Sequence, residues 1–170
     1  MTFEEVFFYF LAAGAIVSAL LVITRRNPIN SVIFLVLNFF FLAALYLTLK
    51  AQFIAIIQIL VYAGAIMVLF MFVIMLLNLG DEKRLTDRVT WKQFVAIGLS
   101  LAFVMQVLYI VGFGETAEMK TMSVKAVDIG TVEYIGKELF SYYVLPIEAI
   151  SVLIVAAVVG AIVLAKRKFD

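Results

Sequence analysis

The sequence of 170 residues contains no cysteine and no histidine, and only 15% of its residues are charged. Without cysteine, the chain holds no disulfide, no thiolate nucleophile and no cysteine-ligated iron–sulfur cluster. Without histidine, it has no usual haem ligand and no Ser-His-Asp triad. Its 13 basic and 12 acidic residues give a net charge of +1, so there is no basic surface for nucleic acid. Any redox chemistry in which the chain takes part therefore depends on other proteins.

Apolar residues, in contrast, are abundant. They make up 66% of the chain, against about 45–50% in an ordinary soluble domain, where charged residues also reach about 25%. A surface facing water needs more charge than this chain has. The composition therefore predicts that lipid surrounds most of the protein.

Long charge-free runs predict where the chain crosses the membrane. A helix needs roughly 20 apolar residues to span a hydrocarbon core about 30 Å thick. The runs are apolar on every side, whereas the strands of a membrane barrel alternate. We therefore predict an all-α integral membrane protein, a bundle of five transmembrane helices in a single membrane domain over 1–170. The predicted helices cover residues 6–24, 28–49, 52–79, 92–113 and 144–165, with a long external loop at 114–143.

The distribution of lysine and arginine predicts the orientation. With alternating spans, nine of the 13 basic residues fall on one side of the membrane, and four fall on the other: Lys50, Lys120, Lys125 and Lys137. The side richer in Lys and Arg is the cytoplasmic one. The N-terminus is therefore expected outside and the C-terminus in the cytoplasm. Within the loop, residues 132–143 are expected to form a short amphipathic helix at the membrane surface.

Glu148 is the only carboxylate inside a predicted span. A carboxylate in hydrocarbon is costly unless it is paired, hydrated or protonated, which makes it a functional candidate. It lies only about one turn from the end of its helix. Two interpretations stay open: a carboxylate that fixes the helix through the interface or a partner, and a member of a proton path.

The third predicted span has the most unusual composition. Gln58 and Tyr62 are four residues apart, which places both polar groups on one face of an α-helix. Ala63, Gly64 and Ala65 remove side-chain bulk beside them, and the 30 charge-free residues of 51–80 exceed the length of a straight span. Extra length next to glycine tolerates a π-bulge, although close packing by small residues explains the same pattern. Ser18 and Asn38, in the first two spans, are expected to form hydrogen bonds between helices.

Four stretches of the sequence carry a resemblance to a known family. These are VYAGAIMVLF at 61–70, LPIEAISVL at 145–153, GAIVLA at 160–165 and RNPINS at 26–31. The chain resembles the J-type membrane subunits, mitochondrial subunit 6 type, of proton-pumping NADH:quinone oxidoreductase, respiratory complex I. The stretches match in order and lie in or beside four of the five predicted spans.

The resemblance implies a non-catalytic core subunit that crosses the inner (cytoplasmic) membrane of the cell several times. FMN, iron–sulfur clusters and quinone are then expected elsewhere in the complex, with no cofactor or metal in this chain. The expected partners are the lipid bilayer and other membrane subunits, namely the small K-type, the A-type, the quinone-site H-type and the antiporter-like subunits. The family's third helix is known for a π-bulge at the positions of Tyr62 and Gly64, which gates a water path. Gln58, Ala63 and Ala65 are assigned to this gate with them.

Two other functions remain possible. The first is a small membrane subunit of a multi-component cation/proton antiporter or of a membrane-bound hydrogenase, since the sequences of such subunits can look similar to this one. The second is a stand-alone structural or assembly protein of the membrane. Whichever applies, the second, third and fourth spans contain no carboxylate. The chain is therefore expected to gate and couple proton movement rather than to store protons in these spans.

Overall fold

The computed structural model describes residues 2–77, 91–113 and 129–166, and these are helical apart from short connections. Six helices are assigned. They are α1 (Phe3–Thr24), α2 (Pro28–Thr48), α3 (Gln52–Leu76), α4 (Trp91–Phe113), α5 (Val132–Ser141) and α6 (Val144–Ala165). No strand occurs among the described residues. The fold is therefore all-α, as predicted.

Four of these helices are long and apolar enough to cross a membrane: α1, α2, α3 and α6. The 23-residue helix α4 coincides with the predicted fourth span, and its apolar core runs over Phe94–Ile110. The protein is a multi-pass membrane protein by these criteria. The fifth crossing and the orientation of the termini stay predictions.

The helix boundaries differ little from the predicted ones. Helix α6 has the predicted limits, whereas α1 begins at Phe3 rather than at residue 6. Its first turn includes Glu4 and Glu5, and the Glu5 carboxylate accepts a hydrogen bond from the Thr2 amide at 3.0 Å. The end predicted for the third span, residues 78–79, lies outside the described residues, as do 114–128 of the long loop. Helix α5 confirms the short helix predicted in that loop.

Helices α1 and α2 form a hairpin that is held by small and polar groups. The Asn38 amide donates to the Ala15 carbonyl oxygen at 2.7 Å and to Ser18 Oγ at 3.0 Å. Ser18 is 2% exposed and itself donates to the Gly14 carbonyl oxygen at 2.8 Å. These bonds confirm the predicted role of Ser18 and Asn38 between helices. Each is worth about 1 kcal/mol in a membrane.

The turn between the two helices has its own fixing contacts. Asn27 caps α2 by accepting from the Ile29 amide at 2.9 Å, and Pro28 follows at the first helical position, where no amide hydrogen is needed. The Arg25 guanidinium lies 5.2 Å from the centre of the Phe34 ring. The Ser31 hydroxyl donates back to the Val22 carbonyl oxygen.

A second anchoring point joins the start of α3 to the segment before α5. The Phe53 amide donates to the Gly130 carbonyl oxygen at 3.2 Å, next to the turn at Lys50, whose φ is 60°. A Cβ on Gly130 would overlap the Lys50 carbonyl oxygen, so only glycine fits there. Helix α5 contacts both the start of α3 and α6. We call this contact between Gly130 and the Lys50–Phe53 segment the Gly130 clasp.

The residues that are nearly inaccessible all lie in α1, α2 and α3: Leu11, Ser18, Val32, Ala43, Ala55, Gln58, Ala63 and Met67. Helix α2 lies between the other two, since it contacts both and α1 does not contact α3. Within the described parts of the chain, α6 packs only on α5 and α4 packs on no other helix. Most of the apolar surface is therefore available to lipid or to other proteins.

We expect Gly14→Ile to loosen the α1–α2 hairpin. A Cβ on Gly14 would lie 2.5 Å from Cε1 of Phe41, so the ring must move. The free energy of unfolding should fall by about 1–3 kcal/mol, measured by thermal unfolding of the protein purified in mild detergent. Gly98→Ile is the control, since nothing lies within 4 Å of Gly98. Two results would show that this contact does not stabilise the hairpin. The first is an equal unfolding temperature for Gly14→Ile and Gly98→Ile. The second is that adding Phe41→Leu to Gly14→Ile fails to recover the lost stability.

We expect Gly130→Val to open the Gly130 clasp, because its side chain cannot share space with the Lys50 carbonyl group. Limited proteolysis before α5 should then become faster, by about tenfold for a local opening made easier by about 1.4 kcal/mol. Gly136→Val is the matched control, because Gly136 lies in α5 with nothing within 4 Å. Equal proteolysis of the two variants would show that the clasp does not hold this segment.

Candidate functional site

The middle of α3 is not an α-helix. Gln58–Ile66 forms a π-helix of nine residues between α-helical segments at Gln52–Ile57 and Met67–Leu76. A π-helix joins residues five apart, and it is usually confined to a single turn. Here it coincides with the stretch in which Ala63, Gly64 and Ala65 remove bulk. The widened turn therefore lies where the sequence offers least steric resistance.

The π-helix changes which residues face α2. The buried positions of α3 are Ala55, Gln58, Ala63 and Met67, and α2 contacts all three parts of α3. Gln58 and Ala63 are five residues apart, the spacing that a π-helical hydrogen bond joins, and a π-helix, with roughly four and a half residues per turn, keeps them on the same side. In an α-helix the same pair would be separated by about 140° around the axis, because each residue turns about 100°. The contact with α2 thus depends on the π conformation.

The structure departs from the prediction that Gln58 and Tyr62 share one face. Gln58 is 8% exposed, whereas Tyr62 is 45% exposed. In a π-helix, with roughly four and a half residues per turn, Tyr62 and Ala63 lie to either side of Gln58, and the side of Ala63 is the one that is buried. The Tyr62 ring lies at the edge of the interface, with its centre 5.8 Å from that of Phe39 in α2 and the two planes at 59°.

The Gln58 amide is the one polar side chain buried in α3. No group within the described ranges forms a hydrogen bond with it. No side-chain nitrogen or oxygen among the described residues is both fully enclosed and unpaired, so part of the amide still lies at the surface of the described chain. An amide in apolar surroundings without a partner is unfavourable by about 1–3 kcal/mol. The arrangement suits a water molecule or a polar group from another chain.

Gly64 lies one residue beyond Ala63 and is partly covered. A Cβ at this position would lie 3.3 Å from the Ile59 carbonyl oxygen, five residues earlier. That distance is tighter than most Cβ contacts, so a larger residue would strain the π conformation. Ala65 is exposed and does not face α2. The site thus combines a buried amide, a ring at its edge and a glycine that permits the wide turn.

Glu148 is not part of this site. It is the fifth residue of α6, is exposed, and has no ion-pair partner among the described residues. Helix α6 does not contact α3. The described residues also contain no group of three acidic side chains that could hold a metal ion.

The sequence did not predict two contacts of α3, that of Phe39 with Tyr62 and that of Gly130 with the Lys50–Phe53 segment. Phe39 was one of three consecutive phenylalanines with no sign that it meets Tyr62, and Gly130 lay in the long loop. The signal for Gly130 was its position just before Thr131, which caps α5 by accepting from the Tyr134 amide at 3.3 Å. Nothing in the sequence indicated that it would meet Lys50.

These features define a class: multi-pass α-helical membrane proteins with a π-helical segment inside a membrane-spanning helix. Comparison with known proteins identifies the family within it. The family model for NADH-ubiquinone/plastoquinone oxidoreductase chain 6 matches residues 18–164. The match covers well over half of the chain, and the chain belongs to this family.

Individual relatives agree. The chain is 36% identical over 158 residues to NADH-quinone oxidoreductase subunit J of Pseudomonas aeruginosa, covering 92% of this chain and 93% of the relative. It is 37% identical over 162 residues to the subunit J of Escherichia coli, with 92% and 84% covered. It is also 35% identical over 175 residues to NAD(P)H-quinone oxidoreductase subunit 6 of Marchantia polymorpha, with 98% and 91% covered. The resemblance seen in the sequence is confirmed.

We expect Gln58→Leu to leave the free energy of unfolding unchanged or to raise it by about 1 kcal/mol. The substitution removes an amide that has no partner in the described chain and keeps a similar volume. Thermal unfolding in mild detergent measures this, with Gln52→Leu at the exposed start of α3 as the control. A loss of stability specific to Gln58→Leu would mean that the amide has a strong partner.

Proposed function

We propose that this chain is a core membrane subunit of a proton-translocating NADH:quinone oxidoreductase, in which α3 gates a water path. The observation that supports the gate is the π-helix at Gln58–Ile66 in a member of this family. The chain itself catalyses no reaction. Its role is to couple quinone reduction to proton movement through a change in the conformation of α3.

The physical basis of the gate is the extra residue in the π turn. If the segment relaxes to a regular α-helix, everything on one side of it turns by roughly 100° relative to the other side. Ala63 would then lie about 140° from Gln58 around the axis, whereas Tyr62 would stay on the side of Gln58. The face that Ala63 leaves would keep an amide and a phenol, and these are groups that order water molecules.

The Gly130 clasp determines which half of α3 rotates about the helix axis when the π-helix relaxes. Gln52–Ile57 is held by the bond from the Phe53 amide to Gly130 and by the contact with α5. Among the described residues, Met67–Leu76 has no such link to a loop and packs only on α2 apart from its own helix. The rotation therefore falls on Met67–Leu76, with Gly64 and the two alanines beside it allowing the turn.

The proposed setting follows from the family. Flavin, iron–sulfur clusters and quinone are bound by other subunits, and this chain holds none of them. Its partners are the K-type, A-type, quinone-site H-type and antiporter-like subunits, in the inner membrane of a bacterium. The N-terminus lies outside and the C-terminus in the cytoplasm, as the distribution of lysine and arginine indicates.

Purification of the complex tests this assignment. The tagged chain should co-purify from membranes in mild detergent with flavin- and cluster-containing subunits and with inhibitor-sensitive NADH:quinone reductase activity. Co-purification with antiporter-type subunits and no dehydrogenase would instead assign the chain to a cation/proton antiporter. Hydrogenase subunits in the eluate would assign it to a membrane-bound hydrogenase.

We expect Gly64→Val to slow NADH-driven proton pumping in the assembled complex. A side chain at this position presses on the Ile59 carbonyl group and so disfavours the π conformation. Strain of about 1.4 kcal/mol would reduce the population of that conformation about tenfold. Proton uptake and quinone reduction should fall together, while NADH oxidation by a water-soluble acceptor stays unchanged.

Gly98→Val is the matched control, since it makes the same substitution in α4, where nothing lies within 4 Å of a Cβ on Gly98. It should pump at the normal rate after the complex has assembled. Normal coupled turnover in assembled Gly64→Val complex would refute the gate. Equal losses in both variants would point to crowding against a neighbouring subunit rather than to the π conformation.

A further inference from the structure

Glu148 lies inside a membrane-spanning helix. The 22 residues of α6 extend for about 33 Å, close to the hydrocarbon thickness of about 30 Å. Glu148 is four residues beyond Val144, so its backbone lies about 6 Å along the axis from the end of the helix. It is the only ionisable residue in α6. The position is therefore within the apolar layer, about one turn from its edge.

The described parts of the chain provide no partner for this carboxylate. Helix α6 contacts only α5, and no basic side chain described, including Lys137 of α5, forms an ion pair with Glu148. The hydroxyl of Ser151, one turn further on, already donates to the Ile147 carbonyl oxygen at 2.9 Å. A partner has to come from outside these residues.

The face of α6 that carries Glu148 is uncovered along its length. Positions four, seven and eleven residues further on lie on nearly the same face. They are occupied by Val152, Val155 and Val159, which are 70%, 63% and 55% exposed. Ile147, which is partly covered, lies about 100° around the helix from Glu148. The face combines one carboxylate with a flat valine surface.

We propose that this face binds a transmembrane helix of another subunit, which places a lysine or arginine beside Glu148. A carboxylate at this depth is stable only when it is paired, hydrated or protonated. Its side chain is shorter than that of a lysine, which reaches the headgroups from a greater depth. Charge complementarity therefore selects a basic side chain, and the valines provide the packing surface around it. The proposal requires a multi-subunit complex but does not depend on gating by α3.

Photo-crosslinking identifies the neighbour without altering Glu148. A photoreactive phenylalanine replaces Val152, and in the control it replaces Leu153, which lies about 140° away from Glu148 around the helix. In the intact complex, the probe at 152 should capture a subunit whose captured segment contains a membrane-embedded lysine or arginine within one turn. Capture of lipid alone, or of a segment without a basic residue, would overturn the proposal. So would identical capture by both probes.

A charge exchange then tests the pairing. Glu148→Lys should reduce the recovery of the chain in the purified complex by about tenfold or more, and Glu148→Gln by less. Changing the captured basic residue to glutamate should restore the recovery of Glu148→Lys. Glu133→Lys, on the exposed surface of α5, serves as the control and should be recovered normally. Normal recovery of Glu148→Lys, or no restoration by the exchange, would refute the pair.

The outcomes also separate this proposal from the proposed function. Capture of a basic helix in a complex without dehydrogenase subunits would support the pair and refute the NADH:quinone oxidoreductase assignment. Capture of lipid alone in a complex that pumps protons would refute the pairing of Glu148 and would not affect the proposed gating by α3.

Discussion

The structure depends on one constraint: in lipid, every backbone amide and carbonyl must find a hydrogen bond within its own helix or a close neighbour. The described chain meets this constraint with long helices, and α3 meets it differently over Gln58–Ile66. There the bonds reach one residue further, so the backbone groups stay bonded within the helix while the rotation between its two ends differs from that of an α-helix. The same constraint explains why a π-helix is permitted in the membrane: its hydrogen bonds satisfy the backbone as those of an α-helix do.

The π conformation of α3 affects the packing of the protein because α3 contacts α2. Helix α2 holds α1 through the bonds of Asn38 to Ala15 and Ser18, and on its other side it packs on α3. Helices α1 and α2 form a hairpin, and α3 packs on the α2 surface of this hairpin. Gln58 and Ala63 face that surface in the π conformation, and Tyr62 meets Phe39 at its edge. The helix type of α3 thus determines which of its side chains are buried against α2.

Two of the described helices leave most of their surface uncovered. No residue of α6 is buried, and α4 packs on no other described helix. Such extensive apolar surface is stable beside lipid, but a carboxylate and a buried amide without partners call for polar groups from other chains or from water. Glu148 on α6 and Gln58 on α3 are thus two polar side chains in apolar segments that have no partner among the described residues.

The sequence by itself determined the membrane class, the helical fold, the limits of α6 and the family, because apolar length and a few spaced motifs are local properties. It also located the unusual stretch around Tyr62 and Gly64. It did not predict that Gln58 is buried while Tyr62 lies at the edge of the contact, since the spacing of four residues was interpreted with α-helical geometry and the segment is a π-helix. The contact of Gly130 with Lys50 joins positions 80 residues apart, as their numbers show, and no local pattern records it. Only the tertiary structure decided these points, because burial and rotation are set by what packs against a helix and not by the helix alone.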